Sequence, residues 1–237
     1  MQRWIWVFLV LLVIVNGPAG DGEAGGDQTG TITGVVKYVG TPPPPKELPL
    51  TKDTDVCGEW KLSRELIVGF DQGIQDAVVR VVNITGKPPQ PARTPTLVQM
   101  RCGFSPHLLL IPAGGSVDIL NTDGFLHNIH TYSVENPAIN VAQPGFIVRM
   151  TLRFQSPERV RVTCDLHPMD AWIVVMDHPY YAVTDQKGTF TLTGVPAGTY
   201  TLEVWHARLG RQTKDVVVKP GRETVVTFGL MEGGPGS

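Results

Sequence analysis

The sequence predicts an all-β protein made of two sandwiches. Short β-branched runs recur from Thr31 to Leu230, separated by Gly, Pro, Asn and Asp, and no stretch sustains a 3.6-residue apolar period. A chain of 237 residues, 42% of them hydrophobic, is long enough to bury two ordinary cores. The strand candidates also outnumber what one small sandwich needs.

The N-terminal residues have a different character. Met1-Gln2-Arg3, the apolar run Trp4–Val15 and the small residues Asn16–Gly20 read as an export signal over residues 1–20, cleaved in the mature protein. The run is short for a bilayer span, which leaves a retained anchor as the alternative, and no Cys follows it to carry a lipid. Residues 21–29 are a Gly-rich flexible lead-in. The expected location is therefore periplasmic or extracellular.

Strands are predicted, in order, at Thr31–Tyr38, Ala77–Ile84, Leu108–Ile111, Ser116–Leu120, Ile129–Ser133, Phe146–Phe154, Arg159–Cys164, Trp172–Met176, Thr189–Gly194, Thr199–His206, Thr213–Lys219 and Glu223–Leu230. Pro88 through Pro95 reads as a stiff linker, because proline removes backbone donors and favours polyproline geometry. The formal net charge of −2, without blocks of like charge, gives no field that would gather nucleic acid or an anionic membrane.

Two segments carry chemistry. Cys164-Asp165-Leu166-His167-Pro168-Met169 places a thiol, an imidazole and a thioether in one loop, and His127 lies upstream on a separate predicted strand. One thiolate, two imidazoles and a weak thioether form a soft donor set that selects copper. There are three cysteines, and if Cys57 and Cys102 pair, Cys164 remains as the thiol that a metal would hold. His130 is three residues from His127, an odd offset on a strand, so it points away from the same ion. His107 reads as a hydrogen-bonded loop residue, and His178 and His206 as candidates to line a domain junction. No His-x-His pair, nucleophile–base order, phosphate-cradling Gly loop or zinc-protease motif is present, so the chain is not expected to be an enzyme.

Two resemblances refine this reading. The run Thr184-Asp185-Gln186-Lys187-Gly188-Thr189-Phe190-Thr191-Leu192, followed by Val195-Pro196-Ala197-Gly198-Thr199-Tyr200-Thr201-Leu202, resembles the carboxypeptidase regulatory-like domain, a transthyretin-type sandwich. Gly30-Thr31-Ile32-Thr33-Gly34-Val35-Val36 matches that family's first strand. The resemblance therefore implies a split domain over 30–92 and 181–231, interrupted by the block at 95–178, with tandem domains as the alternative.

That block resembles the cupredoxins, plastocyanin and amicyanin above all, through Phe104-Ser105-Pro106, Ile111-Pro112-Ala113-Gly114-Gly115-Ser116-Val117, Asn121-Thr122-Asp123, His127-Asn128 and the Cys164 loop. The resemblance implies a Greek-key sandwich with one mononuclear copper. His127, Cys164 and His167 would be equatorial ligands and Met169 axial, with Asn128 tying the ligand strand to the loop and His167 at the surface as an electron exit. It further implies an exported one-electron carrier with a redox partner protein that the sequence does not identify. The loop is one residue shorter than amicyanin's, which leaves a red-copper-like site with Asp170 in the axial place as an alternative. A structural or adhesive module with a vestigial or non-redox metal site is the remaining one.

Overall fold

The computed structural model describes residues 28–234. The export-signal expectation for residues 1–20, and most of the 21–29 lead-in, lie outside the described residues. Within them the strands are β1 (Thr29–Tyr38), β2 (Glu47–Pro49), β3 (Trp60–Leu62), β4 (Val78–Val81), β5 (Thr96–Met100), β6 (Gly103–Ser105), β7 (Leu108–Pro112), β8 (Gly115–Asn121) and β9 (His127–Tyr132). They continue with β10 (Asn140–Gln143), β11 (Arg149–Phe154), β12 (Glu158–Cys164), β13 (Met169–Met176), β14 (Tyr181–Val183), β15 (Thr189–Pro196), β16 (Gly198–His206), β17 (Gly210–Val218) and β18 (Glu223–Leu230). A single helical turn, α1 (Thr54–Cys57), lies between β2 and β3. No helix among the described residues is long and apolar enough to cross a membrane.

One sandwich pairs the sheet β15-β1-β18 with the sheet β14-β4-β16-β17. Strands from before residue 92 and after residue 181 thus share both of its sheets. β1 runs antiparallel to β15 and parallel to β18, and β4 lies between β14 and β16. Its core holds Ile32, Val36, Val79, Phe190, Leu202, Val204 and Phe228.

The second sandwich packs the sheet β10-β9-β12-β13-β7 on the sheet β11-β8-β5-β6. Side chains of a strand alternate between faces, and this places the chemistry. On β12 that period buries Val160, Val162 and Cys164, and on β13 it buries Met169, Ala171 and Ile173, all in one core with Ile111, Val117, Ile119 and Phe154. On β8 it turns Val117, Ile119 and Asn121 inward. The other face of β13 meets the first sandwich: Val174, Met176 and Trp172, with Leu108 of β7, pack with Val78 and Trp205, and the two indoles lie 5.1 Å apart, edge to face.

Several strands differ from the sequence expectations, β5 among them, which lies directly after the proline-rich segment. β2, β3, β6 and β14 span three residues each, and β10 has four, three of them exposed, so none carries a legible period. The expected Phe146–Phe154 strand begins only at Arg149, and Phe146 and Val148 are exposed in the preceding loop.

Candidate metal centre

His127 opens β9, Cys164 closes β12, and His167 lies in the turn to β13, where Cys164 and Met169 are directly paired. The Cys164 sulfur lies 3.7 Å from His127 Nδ1 and 3.9 Å from His167 Nδ1. All three are buried, and their ligand atoms lie within 4.8 Å of one another. Cys164 is the free cysteine, because Cys57 and Cys102 form a disulfide. Phe125 covers the pair of imidazoles, its ring centroid 5.0 Å from that of His127 and 5.6 Å from that of His167.

The remaining imidazole nitrogens face carboxylates. Asp123 Oδ2 is 2.9 Å from His127 Nε2, and Asp53 Oδ2 is 2.9 Å from His167 Nε2. The hydrogen-bond network therefore assigns the proton to each Nε2 and leaves each Nδ1 lone pair facing the thiol. Such carboxylate partners fix the tautomer and the ring orientation of a metal ligand. Burial is the main reason that His127 titrates below its ordinary value, and Asp123 offsets part of it.

Asp123 is placed by its own chain neighbours. Its N–H is donated to Asn121 Oδ1 at 3.1 Å, and Asn121 Nδ2 donates to Phe125 O at 2.8 Å and to Gln143 O at 3.1 Å, which locks the loop before β9. Its carboxylate also accepts the N–H groups of Arg101, at 2.6 Å, and Cys102, at 3.0 Å. Those two residues form the β5–β6 turn with φ of 50° and 52°, the left-handed region that costs non-glycine residues energy. Burial opposes the Asp123 charge, yet these N–H donors and the His127 ring hold its carboxyl below the usual range.

Asp53 comes from elsewhere in the chain. It is the N-cap residue of α1, with φ 51°, but its side chain makes no capping bond to its own helix. The carboxylate that would ordinarily satisfy helix N–H groups is held by His167 instead. Cys57, at the other end of this turn, is joined to Cys102. Residues 47–62 therefore form a strap across the site. Lys61 at its end donates to the Cys102 carbonyl, and burial lowers its pKa against the pull of Asp170, Cys164 and Asp123.

Two sequence expectations change. His167 is not a surface residue: it is 4% exposed, because the strap lies over the edge that was expected to face solvent. Asp170 does not reach the site; it pairs with Thr163, on the strand face opposite Cys164, and its Oδ2 lies 3.4 Å from His107 Nε2. Met169, 3% exposed, is on the Cys164 face.

Asn128 joins the β9 strand to the loop: its Oδ1 accepts the Asp165 N–H at 2.6 Å, and its Nδ2 donates to Asp165 Oδ2 at 2.9 Å. His130 points away to Asp165 Oδ1, 2.9 Å from its Nδ1. His107 and His206 are buried near the junction with Asp76, whereas His178 is buried beside Tyr180 and Tyr181. Sequence reasoning missed the roles of Asp53, Asp123 and Lys61. Asp123 lies in the short loop just before His127, whereas Asp53 is 114 residues from His167 and had no signal.

A family model described as the carboxypeptidase regulatory-like domain matches residues 168–231. Its first residues belong to β13 of the site-bearing sandwich and the remainder to the other one. No curated protein matches in sequence. Among solved structures, a Cu-containing nitrite reductase from Thermus scotoductus SA-01 aligns at 26% identity over 41% of this chain, with a TM-score of 0.32. The alignment spans 25% of that protein's length. A purple cupredoxin from Nitrosopumilus maritimus aligns at 22% identity over 35% of this chain and 99% of its own, with a TM-score of 0.29. A Cu(I) form of an amicyanin mutant aligns at 14% identity over 41% of this chain and 98% of its own, with a TM-score of 0.33.

Proposed function

We propose that this is an exported copper protein that holds one ion between His127, Cys164 and His167, with Met169 as axial donor, and passes single electrons to a redox partner protein. The observation that carries the reading is the buried thiol flanked by two imidazole Nδ1 atoms at 3.7 and 3.9 Å, each ring fixed from behind by a carboxylate. Bound copper would supply a Cu(I)/Cu(II) couple, and a thiolate with two imidazoles suits both oxidation states.

The chain's own residues set the conditions for that couple. Asp53 and Asp123 hold the Nε2 protons, so both Nδ1 atoms are available without a tautomer change. Asn128 keeps the Cys164 loop against β9, so little rearrangement accompanies a change of charge. Phe125 and the strap keep water from the rings. With Asp53 over His167, a redox partner meets the strap instead of a bare imidazole edge. A role as an electron carrier and not an enzyme is part of the same proposal.

The test is titration of purified apo-protein with Cu(II), followed by visible and EPR spectra. One equivalent producing an intense thiolate-to-copper band, lost in Cys164→Ser, is the expected result. An absent band, or copper affinity indifferent to Cys164→Ser, overturns the reading.

A further inference from the structure

Beyond the site just described, the buried cluster holds a second set of soft donors. The sulfurs of Cys57 and Cys102 and a His167 nitrogen lie within 4.8 Å of one another, and all three residues are buried. Cys102 also forms a triad of the same size with Asp123 and His127. The disulfide is therefore not a remote staple; it lies against the ligand imidazoles.

We propose that reduction of the Cys57–Cys102 bond by a dithiol converts it into a second soft-metal site, in which the two thiolates and His167 bind Cu(I). In the exchange step the dithiol delivers two electrons and two protons: the Cys57–Cys102 bond breaks, both cysteines become thiols, and the dithiol closes to its own disulfide. Cu(I) then displaces the two thiol protons. Neutral disulfide sulfurs are poor ligands and thiolates are strong ones, so the site exists in the reduced protein alone.

The geometry suits one ion. Metal–sulfur bonds of about 2.3 Å allow two donors on a single ion to lie up to about 4.6 Å apart, close to the separations already present. The Cα atoms of Cys57 and Cys102 are 5.4 Å apart, so two thiolates can turn toward a shared ion without backbone movement. The Lys61 ammonium, hydrogen-bonded to the Cys102 carbonyl, adds positive charge that favours the thiolate form. His167 is common to this triad and to the Cys164 triad, so an ion in one position competes with an ion in the other.

The proposal concerns the same cluster as the copper reading, and Cys164→Ser separates the two, because it removes the thiolate of the first site and leaves the second intact. Cys164→Ser protein is prepared oxidised and dithiothreitol-reduced, and Cu(I) binding is read by competition with bathocuproine disulfonate. Folding of the reduced protein is followed by circular dichroism. The reduced form is expected to stay folded and bind one Cu(I) about 100-fold more tightly than either the oxidised form or a Cys57→Ser/Cys102→Ser/Cys164→Ser protein. Bound Cu(I) should also slow iodoacetamide alkylation of Cys57 and Cys102 in the same sample.

Equal affinity in the reduced and triple-serine proteins, unslowed alkylation, or loss of the fold on reduction overturns the proposal. Loss of the fold counts because the site needs the strap seated. None of these outcomes depends on whether oxidised wild-type protein shows a visible copper band.

Discussion

Asp53 Oδ2 lies 2.9 Å from Nε2 of His167, although 114 residues separate the two in sequence. The contact is made because α1 gives up its own side-chain cap and because Cys57, four residues on, is fixed to Cys102. It converts what would be a solvent-facing imidazole into a buried, oriented one.

Asp53→Ala is accordingly expected to weaken copper binding by about 10- to 100-fold, the range typical for removing a ligand's supporting carboxylate. Asp53→Asn, which keeps an acceptor oxygen for Nε2, should recover most of that loss. Competition titration with a copper chelator measures both. Equal affinities in wild type and Asp53→Ala would show that the strap merely covers the site.

Asp123 serves stability as well as orientation. Its carboxylate satisfies the Arg101 and Cys102 N–H groups in a turn whose two left-handed residues are unfavourable without support, and it also holds His127. Asp123→Ala should cost about 2–4 kcal/mol in urea unfolding of the apo-protein, since the buried His127 ring N–H and the partly buried Cys102 N–H lose their acceptor. A change below about 0.5 kcal/mol, the level of an ordinary surface substitution, would contradict this account.

Strand parity separates Met169 from Asp170. Met169 shares the Cys164 face of the β12–β13 pair, while Asp170 is turned to His107. In copper-loaded protein, Met169→Ala should therefore alter the visible and EPR spectra, and Asp170→Asn should leave them unchanged. The reverse pattern would restore the carboxylate as ligand.

How far the sequence could lead is visible in these residues. The strand alternation of β8, β12 and β13 was readable, and so were the Cys164 loop and His127 as metal-site candidates. The all-β class follows from the short β-branched runs, whereas the division into two units rests on the strand number, the Pro88–Pro95 segment and the two family resemblances. The strap was not readable: β2 and β3 are three-residue strands, α1 is one turn, and their position over His167 is set by a disulfide and a single long-range carboxylate contact. Contacts of that kind leave no period in the sequence. Consequently the burial of His167 was beyond sequence reasoning, although its place in the Cys164 loop was not.

The junction between the sandwiches carries its own pH dependence. His206 is 3% exposed; burial pushes its pKa down from 6.5 to about 4, against the attraction of Asp76 and with the repulsion of His107 and Arg208. Its folded value lies below its unfolded one, so the unfolded chain takes up the proton first as pH falls. Stability from this group is thus complete above pH 6.5 and is lost as pH falls toward 4, by about 3 kcal/mol in full. His107 has the opposite sign: burial lowers its pKa, but Asp170 and Asp76 raise it above 6.5 on balance, so its contribution is complete below that value and fades at higher pH. Between pH 6.5 and 4 it is therefore flat; His206 contributes to the slope there together with His127 and His178, whose pKa values are also lowered, and toward pH 4 the depressed carboxyls of Glu158 and Glu203 add to it. Urea midpoints of the apo-protein measured across this window should fall less steeply for His206→Gln than for wild type. Parallel curves would mean that His206 is protonated in the fold as readily as in the unfolded chain, and that the junction does not exclude the charge.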